Sequence, residues 1–377
     1  MVCTCTQENL LQGLSLVGHI AGKNANLPIL ANVLIQAEGG QLRISTTNLE
    51  MAISVIVRGR VDEPGEYTVP AKLFQEYVSL LGEGKVELSL TNDGLEIKAD
   101  GKATNIKGIA ATEFPLIPKL AKGTAYQLEA EPLRQALQQV AFAVSASDSR
   151  PELAGVACYF HTAGGPGTLM LASTDSYRLS ERKLNLVTGG NTAEAKCIVP
   201  ARAVQEIARI LASYKDDVAM PEKIDWAMAE NQLAVSFGSV ELVSRLIEGS
   251  FPDYKRIIPT QFRTHCRVKR TELMRAIRAS SLFSRQGIYD VKFEMTTDGA
   301  LTVSSSDTGT GAHRATLQAV VEGESNKVTL NFKYVNDGLA AMDTDQVTLS
   351  VIDSMNAVVV RPEGREGFQY VVMPIRQ

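Results

Sequence analysis

The chain has 377 residues, 45% of them hydrophobic and 21% charged, with 38 basic against 42 acidic side chains and a formal net charge of −4. This length is too great for one ordinary domain and suggests two or three, with apolar residues enough to fill their cores. The acidic balance argues against a tight nucleic-acid binder held by an overall basic field, and admits a loosely held DNA ligand only if cations cluster on one surface. No stretch approaches the roughly 18 uninterrupted apolar residues of a membrane-spanning helix. The start, Met1-Val2-Cys3-Thr4, lacks a basic region followed by an apolar run, so no secretory signal and a cytoplasmic location are expected. The cysteines at 3, 5, 158, 197 and 266 have no paired spacing and read as reduced thiols.

In chain order, Leu10, Leu11, Leu14 and Val17 fall at helical spacing behind a Thr4–Gln7 capping pair. A second helix carries Leu73, Phe74, Tyr77, Val78 and Leu81, with Gly82 as its stop. Alternation at 86–90, the turn Asn92-Asp93-Gly94 and alternation at 95–98 predict a hairpin. A link runs near 120–128, where Lys122, Gly123 and Thr124 follow Pro118. Pro132 suits a first helical position, before the stripe Leu133, Ala136, Leu137 and Val140. Val204, Ile207, Ile210 and Leu211 mark a fourth helix, and 233–237 a strand. After a second link near 259–267, Thr271 can cap a helix carrying Leu273, Met274 and Ile277. A sixth helix has Phe332, Val335 and Leu339, weakened by Gly338, and 347–351 is a strand.

These elements fall into three copies of one pattern. Ile-Ser-Thr-Thr-Asn at 44–48 matches Leu-Ala-Ser-Thr-Asp at 171–175 and Val-Ser-Ser-Ser-Asp at 303–307. Tyr-Thr-Val-Pro at 67–70 is echoed at 197–200 and, more loosely, at 328–331. Phe114-Pro115, Phe251-Pro252 and Met373-Pro374 form a third set. Three landmarks sharing a period of about one third of the chain imply three homologous α+β domains, each with two helices packed on antiparallel sheet. The boundaries read from them are 1–124, 125–260 and 261–377.

Catalytic constellations are missing from the sequence. His19, His161, His265 and His313 form no metal pair at helical spacing, and no Gly-x-Ser-x-Gly elbow occurs. The nearest phosphate-loop match, 18–24, has three residues between its glycines rather than four, carries Asn24 where Ser or Thr belongs, and follows a helix. Gly164-Gly165-Pro166-Gly167 and Gly309-Thr310-Gly311 read as loops, and Asp216-Asp217 and Asp343-Thr344-Asp345 as surface turns. No catalytic residue, metal or cofactor is expected. Two other readings stay open on residues alone: an enzyme of repeated α+β domains without a recognisable motif, and a binding scaffold unrelated to DNA.

Four segments resemble one family in the expected order. Leu-Pro-Ile-Leu-Ala-Asn-Val-Leu at 27–34 looks like the first-domain signature of bacterial sliding clamps, the beta subunit of the replicative DNA polymerase. Thr-Asp-Ser-Tyr-Arg-Leu at 174–179 resembles the family's Thr-Asp-x-x-Arg-Leu, Phe-Pro-Asp-Tyr at 251–254 closes the second domain, and Val-Met-Pro-Ile-Arg at 372–376 is close to the family's ending. The resemblance implies the DNA clamp fold, a ring made by a head-to-tail dimer, sequence-independent enclosure of duplex DNA, and no enzymatic activity. It also implies docking of the polymerase, the clamp loader and other replication or repair proteins through short linear peptides, and no membrane association.

The residues carried over for peptide docking are Arg150, Leu153, Thr174, Tyr177, Arg178, Leu179, Pro252, Arg256, Ile257, Val372, Met373, Pro374 and Arg376. For DNA they are Lys23 and Arg285, in or beside loops the family turns toward DNA, and Lys72, Arg134, Arg202, Arg209, Arg275, Arg278 and Lys333 on helices. For the dimer seam they are Thr104, Ile106 and Ile109 in the first domain with Leu282 and Phe283 in the third. The chain departs from the family where Ser176-Tyr177 replaces Gly-His, Ile375 replaces Met, Gln377 replaces a terminal hydrophobic residue, and Ala357 stands in place of Ser. Pro151-Glu152 occupies the place of aromatic residues that contact DNA in many members.

Overall fold

The computed structural model describes residues 1–22, 27–118, 120, 123–147, 149–187, 191–214 and 221–376. Among them are six α-helices, α1 (Gln7–Val17), α2 (Ala71–Ser79), α3 (Ala130–Ala141), α4 (Ala201–Ala212), α5 (Arg270–Ser281) and α6 (Phe332–Ala340). A strand runs directly into each helix: Val2–Thr6, Gly65–Pro70, Thr124–Glu129, Ala195–Pro200, Thr264–Lys269 and Asn326–Asn331. The expected α+β repeat is therefore present as three successive pairs of strand-to-helix units. Apolar spacing explains the packing: α1 buries Leu10, Leu14 and Val17, and α5 buries Leu273, Ala276 and Ile277. Each of the Leu, Val and Ile side chains among them contributes about 2 kcal/mol.

The helix starts differ from expectation by a few residues. Thr6, not Thr4, caps α1, accepting from the Asn9 amide at 3.2 Å, because Thr4 is held in the preceding strand. Pro132 is the third residue of α3, still within the first turn, where its missing N–H has no helical acceptor to lose. Lys269, not Thr271, precedes α5. Gly82 stands beyond α2, which ends at Ser79. Gly338 lies inside α6, where an added Cβ would meet the Tyr370 ring at 2.2 Å. The glycine that weakens the helix locally is what lets the final strand pack against it.

The repeat at 48, 175 and 307 has a hydrogen-bonding cause. Asn48 Oδ1 accepts from the amides of Glu50 and Met51, Asp175 Oδ1 from Tyr177 and Arg178, and Asp307 Oδ1 from Gly309 and Thr310. Each is the same side-chain-stabilised turn between two strands. Two residues earlier, Thr46, Ser173 and Ser305 donate to the carbonyls of Val17, Val140 and Phe283, at or just beyond the end of each domain's first helix. The short polar motif thus pins sheet to helix in all three copies.

The described residues form two compact units. One contains a sheet of 5 strands and one of 8, the other a sheet of 9 and one of 4. In the 8-stranded sheet the first-domain strand Met51–Val57 pairs antiparallel with Val240–Arg245 of the central third of the chain. In the 9-stranded sheet Arg178–Asn185 pairs antiparallel with the last strand, Phe368–Val372. Adjacent domains therefore share main-chain ladders, and the two compact units cut through the central repeat rather than between repeats.

Candidate functional site

The second of these joints brings together the motifs at 174–179 and 371–376. Arg178 pairs with Val372, Leu179 with Val371, and the Met373 amide donates to the Tyr177 carbonyl at 2.9 Å. Side chains alternate across a strand, so the two faces of this joint differ. Leu179, Val371 and partly exposed Met373 join Ala172, Ala357, Val359 and Tyr254 in one apolar cluster on the face without helices. Val372 is fully buried on the other face with Tyr370. Val372 is thus a core residue, and Val371 is the one that shares the Leu179–Met373 face.

Arg178 also points toward the helices. Its Nε donates to Asp175 at 3.0 Å, Nη1 to Asp337 of α6 at 2.5 Å and Nη2 to the Phe142 carbonyl at 2.9 Å. The guanidinium lies over the rings of Tyr334 at 4.7 Å and Phe142 at 5.5 Å. Burial works against its charge, but Tyr370, Asp337 and Asp175 outweigh it and hold the guanidinium above its usual pKa. Arg178 anchors the joint more than it lines it.

The rim is assembled locally. Ser176 adopts φ +78°, leaving Tyr177 63% exposed at the turn. Thr174 is buried and donates to the Arg178 carbonyl at 2.6 Å. Arg150 donates to Glu152 at 3.0 Å and to Ser176 at 3.3 Å, above buried Leu153. After Pro252, the short helix Tyr254–Ile257 exposes Arg256, paired with Asp253 at 2.7 Å, and Ile257. Tyr254 turns inward and donates to buried Glu181 at 2.6 Å. Burial first, then the Glu181 charge, pushes its phenol far above the usual range. Pro374 leads the chain away, so that Ile375 and Arg376 line a different cleft with Arg285, Asp290 and Thr329. Arg376 is therefore placed with the third domain's own sheet. Its 372–376 neighbours in sequence hid that separation.

The expected DNA cations divide by what holds them. Arg202, Arg275 and Arg278 are exposed on α4 and α5, and Lys72 is exposed on α2 at 3.8 Å from Glu76. Arg134 donates to Gln138, one helical turn on. Arg209 donates to the carbonyls of Ser15 and Leu16 at 3.4 and 2.7 Å, at the C-terminal end of α1. Arg285 is paired with Asp290 at 2.5 Å, and Lys333 Nζ sits 3.5 Å from the Tyr289 ring centre. Lys23 lies outside the described residues, as do Asn24, Asp216 and Asp217. Gly18–Ile20 is a 3₁₀ turn directly after α1, not the strand-to-helix turn of a phosphate loop. Among the described residues no cluster of three His, Cys, Asp or Glu could hold a metal.

Among the sheet edges of the described residues, two bear on the expected dimer seam. Thr104 and Ile106 belong to the edge strand Lys102–Ile106 of the 5-stranded sheet. Ile109 instead exchanges backbone hydrogen bonds with Thr68 at 3.2 and 3.3 Å and packs by Phe114. In the 4-stranded sheet one edge is Gly311–Gln318, whose His313 stacks on Phe283 at 5.9 Å, beside 74%-exposed Leu282.

Models of the DNA polymerase III beta subunit match almost the whole chain: the N-terminal domain at 1–118, the central domain at 127–253 and the C-terminal domain at 255–376. The chain belongs to this family. The beta sliding clamp of Staphylococcus aureus is 30% identical over 362 residues, spanning 93% of this chain and 92% of its own. That of Synechococcus elongatus is 29% identical over 382 residues, spanning 100% and 99%. The crystal structure of the DNA polymerase III beta subunit from Thermotoga maritima aligns over all of both chains with a TM-score of 0.91 at 26% identity. The three repeats are thus three clamp domains. As in its family, the chain is a DNA sliding clamp, a processivity subunit of the polymerase and not an enzyme.

Proposed function

We propose that two copies close head to tail into a ring around duplex DNA, with domains bounded near 124 and 260, and that partners dock on the Leu179–Met373 face. The observation that carries this reading is the pairing of edges. Strand Lys102–Ile106 ends the first domain's sheet as Val240–Arg245 ends the corresponding run of the central domain, and Val240–Arg245 has a partner in Met51–Val57. Strand Gly311–Gln318 is the third-domain counterpart of Met51–Val57 and Arg178–Asn185, and both of those are joined to the next domain. Among the described residues one unpaired strand of each of these two kinds remains per chain, so a second copy satisfies both edges twice over. Closed rings remove edges that would otherwise aggregate.

Function follows from enclosure. A ring cannot leave circular DNA without opening, so few phosphate contacts are needed, and each would add salt-sensitive friction to sliding. This reconciles a net charge of −4 with a DNA ligand. Arg202, Arg275, Arg278 and Lys72, with Arg134 and Lys23, supply the weak positive field. Affinity for the polymerase, the clamp loader and repair proteins resides instead in the apolar face, where Met373 adapts to Leu or Phe anchors of a short peptide and Tyr177, Arg150 and Arg256 border it. The protein acts in the cytoplasm, with the rest of the replication machinery. Sedimentation velocity at micromolar concentration should give a dimer, and Ile106→Asp with Leu282→Asp should give monomers. A monomer from the unaltered chain would overturn the ring.

A further inference from the structure

The two sheet joints, equivalent in register, differ in what fills them. At the first, Ser54 lies opposite Glu241 and Ser45, and Gln36 opposite Arg43 and Glu66. At the second, the same positions are Glu181 opposite Gln369 and Ala172, and Tyr159 opposite Met170 and Lys196. The second joint is plugged by Tyr254, which is 4% exposed, donates to Glu181, and packs against Tyr159 and Phe251 at 6.4 and 6.1 Å. Tyr254 stands three residues after Phe251, and the residue three after Phe114 is the shorter, half-buried Ile117. Ser45 and Ser54 bond to each other at 2.8 Å, keeping the floor low. What remains at the first joint is an open cleft of about 830 Å³.

We propose that this cleft is a second docking site, for a short basic peptide carrying a large apolar side chain. Its volume lies within the range of about 300–1,000 Å³ that ligand sites occupy. Its charge is acidic among the described residues: Glu38, Glu66 and Glu241 line it, with Arg43 the one cation among them. The Arg43–Glu241 pair is loose, at 3.7 Å with both side chains more than a third exposed, so a peptide cation can compete for the carboxylate. Glu66 accepts from Gln36 at 3.0 Å, leaving its other oxygen for a Lys or Arg. The apolar contact comes from the lip Pro115-Leu116-Ile117-Pro118, on which Leu116 is 98% exposed. Two prolines restrict that backbone and Phe114 is buried beneath it, so little ordering entropy is lost when a ligand covers Leu116. The site shares no residue with the Leu179–Met373 face, and either can fail without the other.

The test is fluorescence anisotropy of a labelled Lys-Leu-Phe-Arg peptide titrated with the full chain, beside a labelled Glu-Leu-Phe-Asp peptide. The basic peptide should saturate below about 1 mM. Glu66→Lys with Glu241→Lys should weaken it by at least about fivefold, fully exposed Leu116→Ser should also weaken it, and Met373→Ala should leave it unchanged. No saturation, equal binding of the acidic peptide, or loss in Met373→Ala with retention in the Glu66/Glu241 variant would overturn the proposal.

Discussion

The Arg178 guanidinium and the Asp337 carboxylate meet at 2.5 Å, tying the strand that opens the second joint to α6. Arg178 is 12% exposed and Asp337 44%, so the two partners do not carry equal weight. Arg178→Ala also strips the Phe142 carbonyl and Asp175 of a donor and should lower stability by about 2–3 kcal/mol. Asp337→Asn, on the wetter side, should lower it by about 1 kcal/mol. Urea unfolding of the two variants measures this ordering, and equal losses would contradict it.

Gly338→Ala sets two effects against each other. Alanine in a helix gains about 1 kcal/mol over glycine. A Cβ at 2.2 Å from the Tyr370 ring forces the last strand or α6 to shift, and overpacking of that kind costs about 1–3 kcal/mol or more. The clash wins, giving a net loss of about 2 kcal/mol. Thermal melts should show Gly338→Ala destabilised, and Tyr370→Leu in the same chain should recover much of the loss.

The two faces of the last strand separate binding from stability. Met373→Ala should weaken a labelled Gln-x-x-Leu-Phe peptide by about tenfold while the fold is nearly unaffected. Val372→Ala, on the buried face, should cost about 2 kcal/mol of stability and leave peptide affinity within about twofold. The reverse pattern would put the docking face on the helix side.

The buried thiols make the protein sensitive to alkali. Burial pushes Cys3 up to about 11 and Cys5 and Cys266 up to about 12. The folded state therefore keeps protons that the unfolded chain releases near pH 9, and stability is full below that pH and falls as pH rises toward 11 and 12. Urea midpoints should be level between pH 7 and 8.5 and drop by pH 10.5. At pH 8 a thiol reagent should label half-buried Cys197 first and the four buried thiols only on unfolding.

Much of this was legible in the sequence because the repeat is chemical. The Asn or Asp at 48, 175 and 307 makes the same turn three times, so landmark and structure coincide. Helix stripes were readable for the same reason, whereas the starts slipped where a strand ran straight into a helix and took the capping position from Thr4 and Thr271. Within the docking face, period-two alternation from Met373 points to Val371 and puts Val372 on the buried face, as the two clusters show. The inward turn of Arg178 toward Asp337 and the commitment of Arg209 to α1 depend on contacts 159 and 193–194 residues apart, which no local pattern encodes. Ile109 stands apart from the edge strand of Thr104 and Ile106 because it pairs with Thr68 through a single isolated bridge, which no local pattern announces.

Enclosure of DNA is best tested by retention on a nicked circular plasmid. The protein is loaded by its clamp loader and ATP, passed through a sizing column at high salt, and then treated with an enzyme that cuts the plasmid once. The ring predicts that protein co-elutes with circular DNA and is released when the same DNA is made linear. Equal retention on circular and linear DNA, or release by salt alone, would mean that ordinary surface contacts hold it and would contradict the account.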